Sequence, residues 1–128
     1  MVESKFQFVN PYVVEMSYVE NKDFKIGEKV QINMDVNTKC RKGKGIGHVE
    51  LHISTSETSV NSPFEISVRM ASDFRWDERL PEETIDSFMK ANAPALLLGY
   101  ARPIIAGVTN ASRFPAYNIP FMDFTAQD

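Results

Sequence analysis

The chain has 128 residues, with 14 Lys and Arg against 17 Asp and Glu and a formal net charge of -3. That length fits one domain spanning residues 1–128, and 43% hydrophobic with 11% aromatic residues excludes the disordered class. Phosphate-backbone binding rests on a basic surplus, so the composition argues against nucleic acid as a partner and leaves only a local basic patch open.

From the N-terminus, Phe6, Phe8, Tyr12, Val14, Met16 and Tyr18 are apolar on the even parity, opposite Lys5, Gln7, Glu15 and Ser17. This is the period of a half-buried strand, with Pro11 bending or bulging it. Val30, Ile32, Met34 and Val36 alternate with polar residues in a second strand, and Val49, Leu51 and Ile53 form a third against His48, Glu50 and His52. A fourth run, Phe64, Ile66, Val68 and Met70, keeps its parity to Phe74 and Trp76. Four antiparallel strands with one apolar face follow.

After Trp76 the period changes. Leu80-Pro81-Glu82-Glu83 reads as a helix start, with Ile85, Phe88 and Met89 as its buried stripe. Pro94 interrupts the pattern, and a second helical stretch to about Thr109 is apolar on nearly every side. One sheet face does not cover such a helix, so a second copy of the chain is expected to do so. The segment from Ser112 to Asp128, with Pro115, Pro120, Phe114, Tyr117, Phe121 and Phe124, reads as extended with aromatic anchors. The fold class is α+β, a four-stranded antiparallel sheet followed by a long broken helix.

A lone cysteine, Cys40, forms no internal disulfide and fits a reducing compartment. The N-terminus lacks a basic segment followed by an apolar stretch, so no export signal is expected. Ala93–Val108 is broken by Pro94, Gly99, Arg102 and Pro103 and is too short to span a bilayer. Cytoplasmic location without membrane insertion is the expectation.

Chemistry-bearing motifs are weak. His48, Glu50 and His52 share a strand face, but at about 3.3 Å per residue the two imidazoles stand roughly 13 Å apart, too far to share an ion. No metal or other cofactor is expected. Cys40-Arg41-Lys42-Gly43-Lys44-Gly45-Ile46-Gly47 is glycine-rich and basic, yet it joins two strands and leads into no helix, so it reads as an exposed hairpin loop with an anionic-partner contact as the alternative. Asp77, Glu78, Glu82, Glu83 and Asp86 surround a strand-to-helix junction, where acids ordinarily complement a helix N-terminus. There is no nucleophile elbow, and no catalytic residue is assigned: the chain reads as a non-enzyme. The nine Phe, four Tyr and one Trp exceed what one sheet-on-helix layer buries. They form either an oligomer core or an aromatic-walled groove for apolar segments of other chains.

Residues 92–120 bring this reading to a resemblance. Pro94, an aliphatic run, Tyr100-Ala101-Arg102, a second aliphatic run, Phe114-Pro115 and Ile119-Pro120 follow in order, as does the early Phe6-Gln7. The chain resembles the SecB family of protein-export chaperones. The resemblance implies a tetramer built as a dimer of dimers that holds unfolded preproteins in aromatic-lined grooves without ATP. By position it implies peptide-binding roles for Phe24, Ile26, Phe74, Trp76, Tyr100 and Phe114, with Phe121 in the tail added to them. Motor binding in the family uses acids on the exposed sheet face; Glu15 fits one such position, and Glu20 lies beside the next, which is Val19 here. Typical members continue into a C-terminal helix and a tail that helps contact the translocase motor SecA. The sequence runs to Phe124-Thr-Ala-Gln-Asp128, so set against that pattern the expectation is a shortened form, truncated at the C-terminal helix. Two partner expectations follow: SecA-linked export, or dedicated chaperoning of one partner such as an antitoxin. A small-ligand or enzymatic domain is the third and weakest alternative.

Overall fold

The computed structural model describes residues 1–125. Four strands come first, β1 (Phe6–Glu20), β2 (Met34–Lys42), β3 (Ile46–Thr55) and β4 (Phe64–Trp76). Two α-helices, α1 (Glu82–Ser87) and α2 (Ala93–Asn110), follow and are joined by a π-helical turn over Phe88–Asn92. The strands form one antiparallel sheet in the order β1-β4-β3-β2. β1 and β2 are therefore its two edges, and the segment between them crosses from one edge to the other.

Period-two patterning decides which face is buried. Val49, Leu51 and Ile53 of β3 and Phe64, Ile66, Val68, Met70, Phe74 and Trp76 of β4 all lie in the core. Ile85, Met89, Ala93, Leu97, Leu98, Ala101 and Ile105 cover them from the helical side. β4 runs from Phe64 to Trp76, the span that its parity predicts.

β1 departs from simple alternation. Its register with β4 slips between Val9 and Tyr12 and again between Val13 and Glu15. Each slip adds a residue to β1, as bulges do, and Asn10 takes a positive φ of 54° at the first. Parity reverses between them: Tyr12 pairs with Ala71 and Val13 with the buried Met70. The even-parity expectation thus holds at Phe6, Phe8, Met16 and Tyr18 and fails at Tyr12 and at Val14, which falls in the second slip and is exposed.

β2 begins later than its alternation predicts. Val30 to Asn33 make only an isolated bridge, with Gln31 and Val60 exchanging two 2.8 Å bonds. The Asn33 backbone N–H donates to Ser59 Oγ at 3.0 Å, and its side chain donates to Thr58. Such side-chain bonds compete with the ladder and postpone it to Met34.

Pro94 does not break the helical run. It occupies the first turn of α2, where a missing N–H costs little. The turn before it widens so that the Ala93 N–H reaches the Phe88 carbonyl five residues back. The β4–α1 junction is set by Asp77, whose carboxylate accepts from the Arg79 backbone at 2.9 Å and from its guanidinium at 2.8 and 3.1 Å. Those bonds hold the Asp77 carboxyl down to about 2. Lys42 fastens the hairpin to α1 by donating to Glu82 and, at 2.7 Å, to Asp86.

Residues Gly43 to Gly45 form the β2–β3 turn, with Gly45 at a φ of +72° and the Gly43 N–H donating to Ile46 at 2.7 Å. Gly47 has another reason to be glycine. A Cβ there would stand 2.8 Å from the Trp76 ring and 2.6 Å from Met89 Cε. Overpacking of a tight contact costs about 1–3 kcal/mol. Gly47→Ala should therefore lower the thermal midpoint by several degrees in a calorimetric scan.

Candidate functional site

Aromatic side chains gather at opposite ends of the covered sheet face. At one end Phe6 stacks on Phe74 at 5.5 Å, on Trp76 at 5.6 Å and on Phe88 at 4.6 Å. Phe74 and Trp76 are only 2% and 7% exposed, so they form core rather than open surface. Phe8 and Tyr100, edge-on at 6.4 Å, are 42% and 43% exposed and make the open rim of this end.

The other end is built by the crossover segment, β1, the start of β4 and the tail. Phe24 meets Phe114 edge-on at 5.2 Å, and Phe64 contacts Tyr18 at 5.8 Å and Tyr117 at 6.3 Å. Asn61 holds the crossover segment in place, accepting from the Lys25 N–H at 2.9 Å and donating to its carbonyl at 2.8 Å. Two residues beyond Phe24, Ile26 stands 86% exposed. The tail is tied to the end of α2 by the Tyr117 N–H, which donates to Thr109 Oγ1 at 2.8 Å. Tyr117 is partly buried, and burial pushes its phenol up from the usual range. Ile119 inserts fully into the core, whereas Phe121 points out, 88% exposed, with the Arg102 guanidinium 4.6 Å from its ring.

The seven residues marked as peptide-binding in the sequence thus occupy different places. Phe24, Ile26 and Phe114 share one end, Phe74, Trp76 and Tyr100 the other, and Phe121 lies against α2. The two ends are separated by most of β4, roughly 30 Å at 3.3 Å per residue. Sequence reading missed Phe8 as a surface residue because its parity marks it as core; its place on an edge strand leaves it half open. Phe64 lies in the core as its parity marks it, and the contact it makes with the tail anchor Tyr117 depends on how the tail folds back.

The opposite sheet face carries mixed charge. Glu15 pairs in register with Arg69, and Arg69 binds Glu50 at 3.3 Å. Glu20 belongs to the other parity and accepts from Arg113 Nε at 2.6 Å. Glu15 and Glu20 therefore do not form one acidic surface. His48, Glu50 and His52 take separate partners, Asp73 at 2.8 Å, Arg69, and Ser67 at 2.8 Å. No helix among the described residues is long and apolar enough to cross a membrane.

Replacing a buried large aromatic by Ala costs about 3–5 kcal/mol. Trp76→Ala should accordingly lower the unfolding midpoint in denaturant, whereas Ile26→Asp, at an open position, should leave it within about 0.5 kcal/mol of wild type.

Comparison with known proteins places this geometry. The family model described as preprotein translocase subunit SecB matches residues 2–127. The protein-export protein SecB of Cereibacter sphaeroides is 28% identical over 131 aligned positions, covering 95% of this chain and 79% of that protein. The SecB of Anaplasma phagocytophilum is 36% identical over 50 residues, 39% of this chain and 32% of its own length. Among solved structures, the Mycobacterium tuberculosis SecB-like chaperone in complex with a ChAD peptide from the HigA1 antitoxin superposes with a TM-score of 0.72. It is 10% identical, with 91% of this chain and 90% of that chain covered. A Streptococcus agalactiae protein of unknown function gives 0.56 at 16% identity, covering 91% and 97%. With a family model matched from residue 2 to residue 127, and a four-stranded antiparallel sheet followed by a long helix, the chain belongs to the SecB family.

Proposed function

We propose that the chain is an ATP-independent holdase that takes non-native polypeptides, preproteins among them, against the apolar surface of its helical side. The observation that carries this reading is the exposure of Ile26 and Phe121, at 86% and 88%, in a chain that has already filled its own core with other rings. Burying such a side chain against a client contributes about 1.5–3 kcal/mol. Phe8 and Tyr100 at one end and Phe24, Ile26 and Phe114 at the other are spaced for an extended client segment of about nine or ten residues. Phe74 and Trp76 act from beneath, as the packed floor that holds the Phe8–Tyr100 rim. The reading assigns no catalytic residue and requires no cofactor. The unpaired thiol of Cys40 fits work in the cytoplasm.

Assembly belongs to the same reading. The β1 edge presents Val9, Tyr12, Val13 and Val14, each 37–49% exposed. α2 turns outward a ladder of small residues, Ala95, Gly99, Pro103 and Gly107, all exposed at four-residue spacing. Edge pairing of β1 with β1 would make a dimer, and close approach of α2 helices along the small-residue ladder would join dimers into a tetramer.

A second reading makes the protein a dedicated adaptor for a single partner such as an antitoxin. The antitoxin peptide bound to the M. tuberculosis neighbour favours it. SecA delivery is the export variant of the first reading, and it has less support because Glu15 and Glu20 face different ways. Pull-down from native lysate separates these readings: many unfolded clients support the holdase, one dominant partner the adaptor.

In a light-scattering assay with an aggregating client, stoichiometric wild-type protein should suppress turbidity. Ile26→Asp and Phe121→Asp should each weaken client affinity about tenfold with the fold intact. Unchanged suppression in both would remove these side chains from the contact surface. Gly107→Glu, where an added Cβ meets nothing within the protomer, should reduce the mass measured by light scattering from four copies to two.

A further inference from the structure

We propose that the β2 edge accepts an extended acidic segment of a partner polypeptide as a fifth strand, its alternate carboxylates facing Lys39 and Arg41. This surface lies at the opposite edge from β1 and does not rest on the holdase reading.

The chain is acidic overall, yet Lys39 to Lys44 holds four basic residues in six and no acid. Lys42 is spent on Glu82 and Asp86. Lys39, Arg41 and Lys44 hold no ion pair among the described residues. The carboxylates of the neighbouring strands are engaged, Glu50 by Arg69 at 3.3 Å and Asp73 by His48 at 2.8 Å. Glu78 lies against Gly45 in the turn. Lys39, Cys40 and Arg41 are all exposed.

Shape agrees with charge. A depression of about 380 Å³ is lined by Asn37, Thr38, Lys39, Glu50, His52 and Arg69. A second, of about 170 Å³, shares Lys39 and Glu50 with it and continues to Arg41 and His48. Together they follow β2 over a length that suits about six extended residues.

The edge selects its occupant by chemistry. β2 ends the strand order, so the outward main-chain groups of its terminal edge are matched by another peptide backbone. Pairing β2 with a second β2 would set Lys39 and Arg41 against their own kind, which edge lysines ordinarily prevent. A polynucleotide has no peptide N–H and C=O groups to pair with the strand and would leave its edge unmatched. An acidic strand satisfies both the backbone and the two cations, with small or apolar side chains falling opposite Thr38 and Cys40.

Cys40, the one cysteine of the chain, reports on this edge directly. The probes are eight-residue peptides alternating Glu with Thr, Gln with Thr and Lys with Thr, followed by fluorescence anisotropy at low salt and by the alkylation rate of Cys40. The Glu peptide should bind and slow alkylation at least threefold. Lys39→Glu combined with Arg41→Glu should weaken it about tenfold, the Gln counterparts should give an intermediate loss with an unchanged circular dichroism spectrum, and 0.5 M salt should weaken it comparably. Ile26→Asp should leave it unchanged. Equal binding of the Gln or Lys peptide, or unprotected Cys40 at saturation, would overturn the proposal. So would a single-stranded oligonucleotide that displaces the Glu peptide with equal affinity, since the surface would then be a general anion patch.

Discussion

The structure turns on one apolar sheet face that a single helical run and a short tail must cover. β4 alone presents buried side chains from Phe64 to Trp76, about 40 Å of strand at 3.3 Å per residue. An 18-residue helix spans about 27 Å. α2 cannot reach both ends, and the remaining length is covered by α1 with the π-helical turn at one end and by the crossover segment with the tail at the other. Rings collect at these two ends because they fill large, irregular gaps beyond the helix with few side chains. The same shortfall leaves Phe8, Tyr100 and Ile26 open.

Much of this was legible from alternation alone. β3 and β4 read cleanly because they are the two inner strands, with each residue's face fixed by neighbours on both sides. β1 misled at Tyr12 because two bulges of one residue each cancel: the parity is the same before the first and after the second, so nothing in the overall pattern marks the reversal between them. Residues 30–33 alternate like a strand, but the Asn33 backbone is satisfied by Ser59 and Ser56 instead of a strand partner. The hardest distinction was between core and surface aromatics. Trp76 and Ile26 are both large and apolar, and only the packing of Gly47, Met89 and Phe6 around Trp76 shows which of them is inside.

The two sheet edges differ in chemistry. β1 is apolar over Val9 to Val14 and interrupted by its bulges; β2 is basic over Lys39 to Lys42. An apolar edge promotes pairing with its like, and a basic edge discourages it. A sheet so built can extend at one side without growing indefinitely from the other. The charge that guards β2 is also specific in sign, and a guard of that kind admits a strand of opposite charge.

A protein that holds other chains must display sticky surface while keeping its own fold unique, and here the two demands fall on different residues. Uniqueness rests on tightly interlocked groups such as Gly47, Trp76 and Met89, where one added carbon collides with a neighbour. On the proposed reading stickiness would rest on Ile26 and Phe121, which contribute little to the protomer's own packing. Because Phe121 sits on Arg102 while Ile119, two residues earlier, is fully buried, the tail fixes the exposed ring in place without covering it. The client contacts proposed for those side chains would therefore form and break without disturbing the core that supports them.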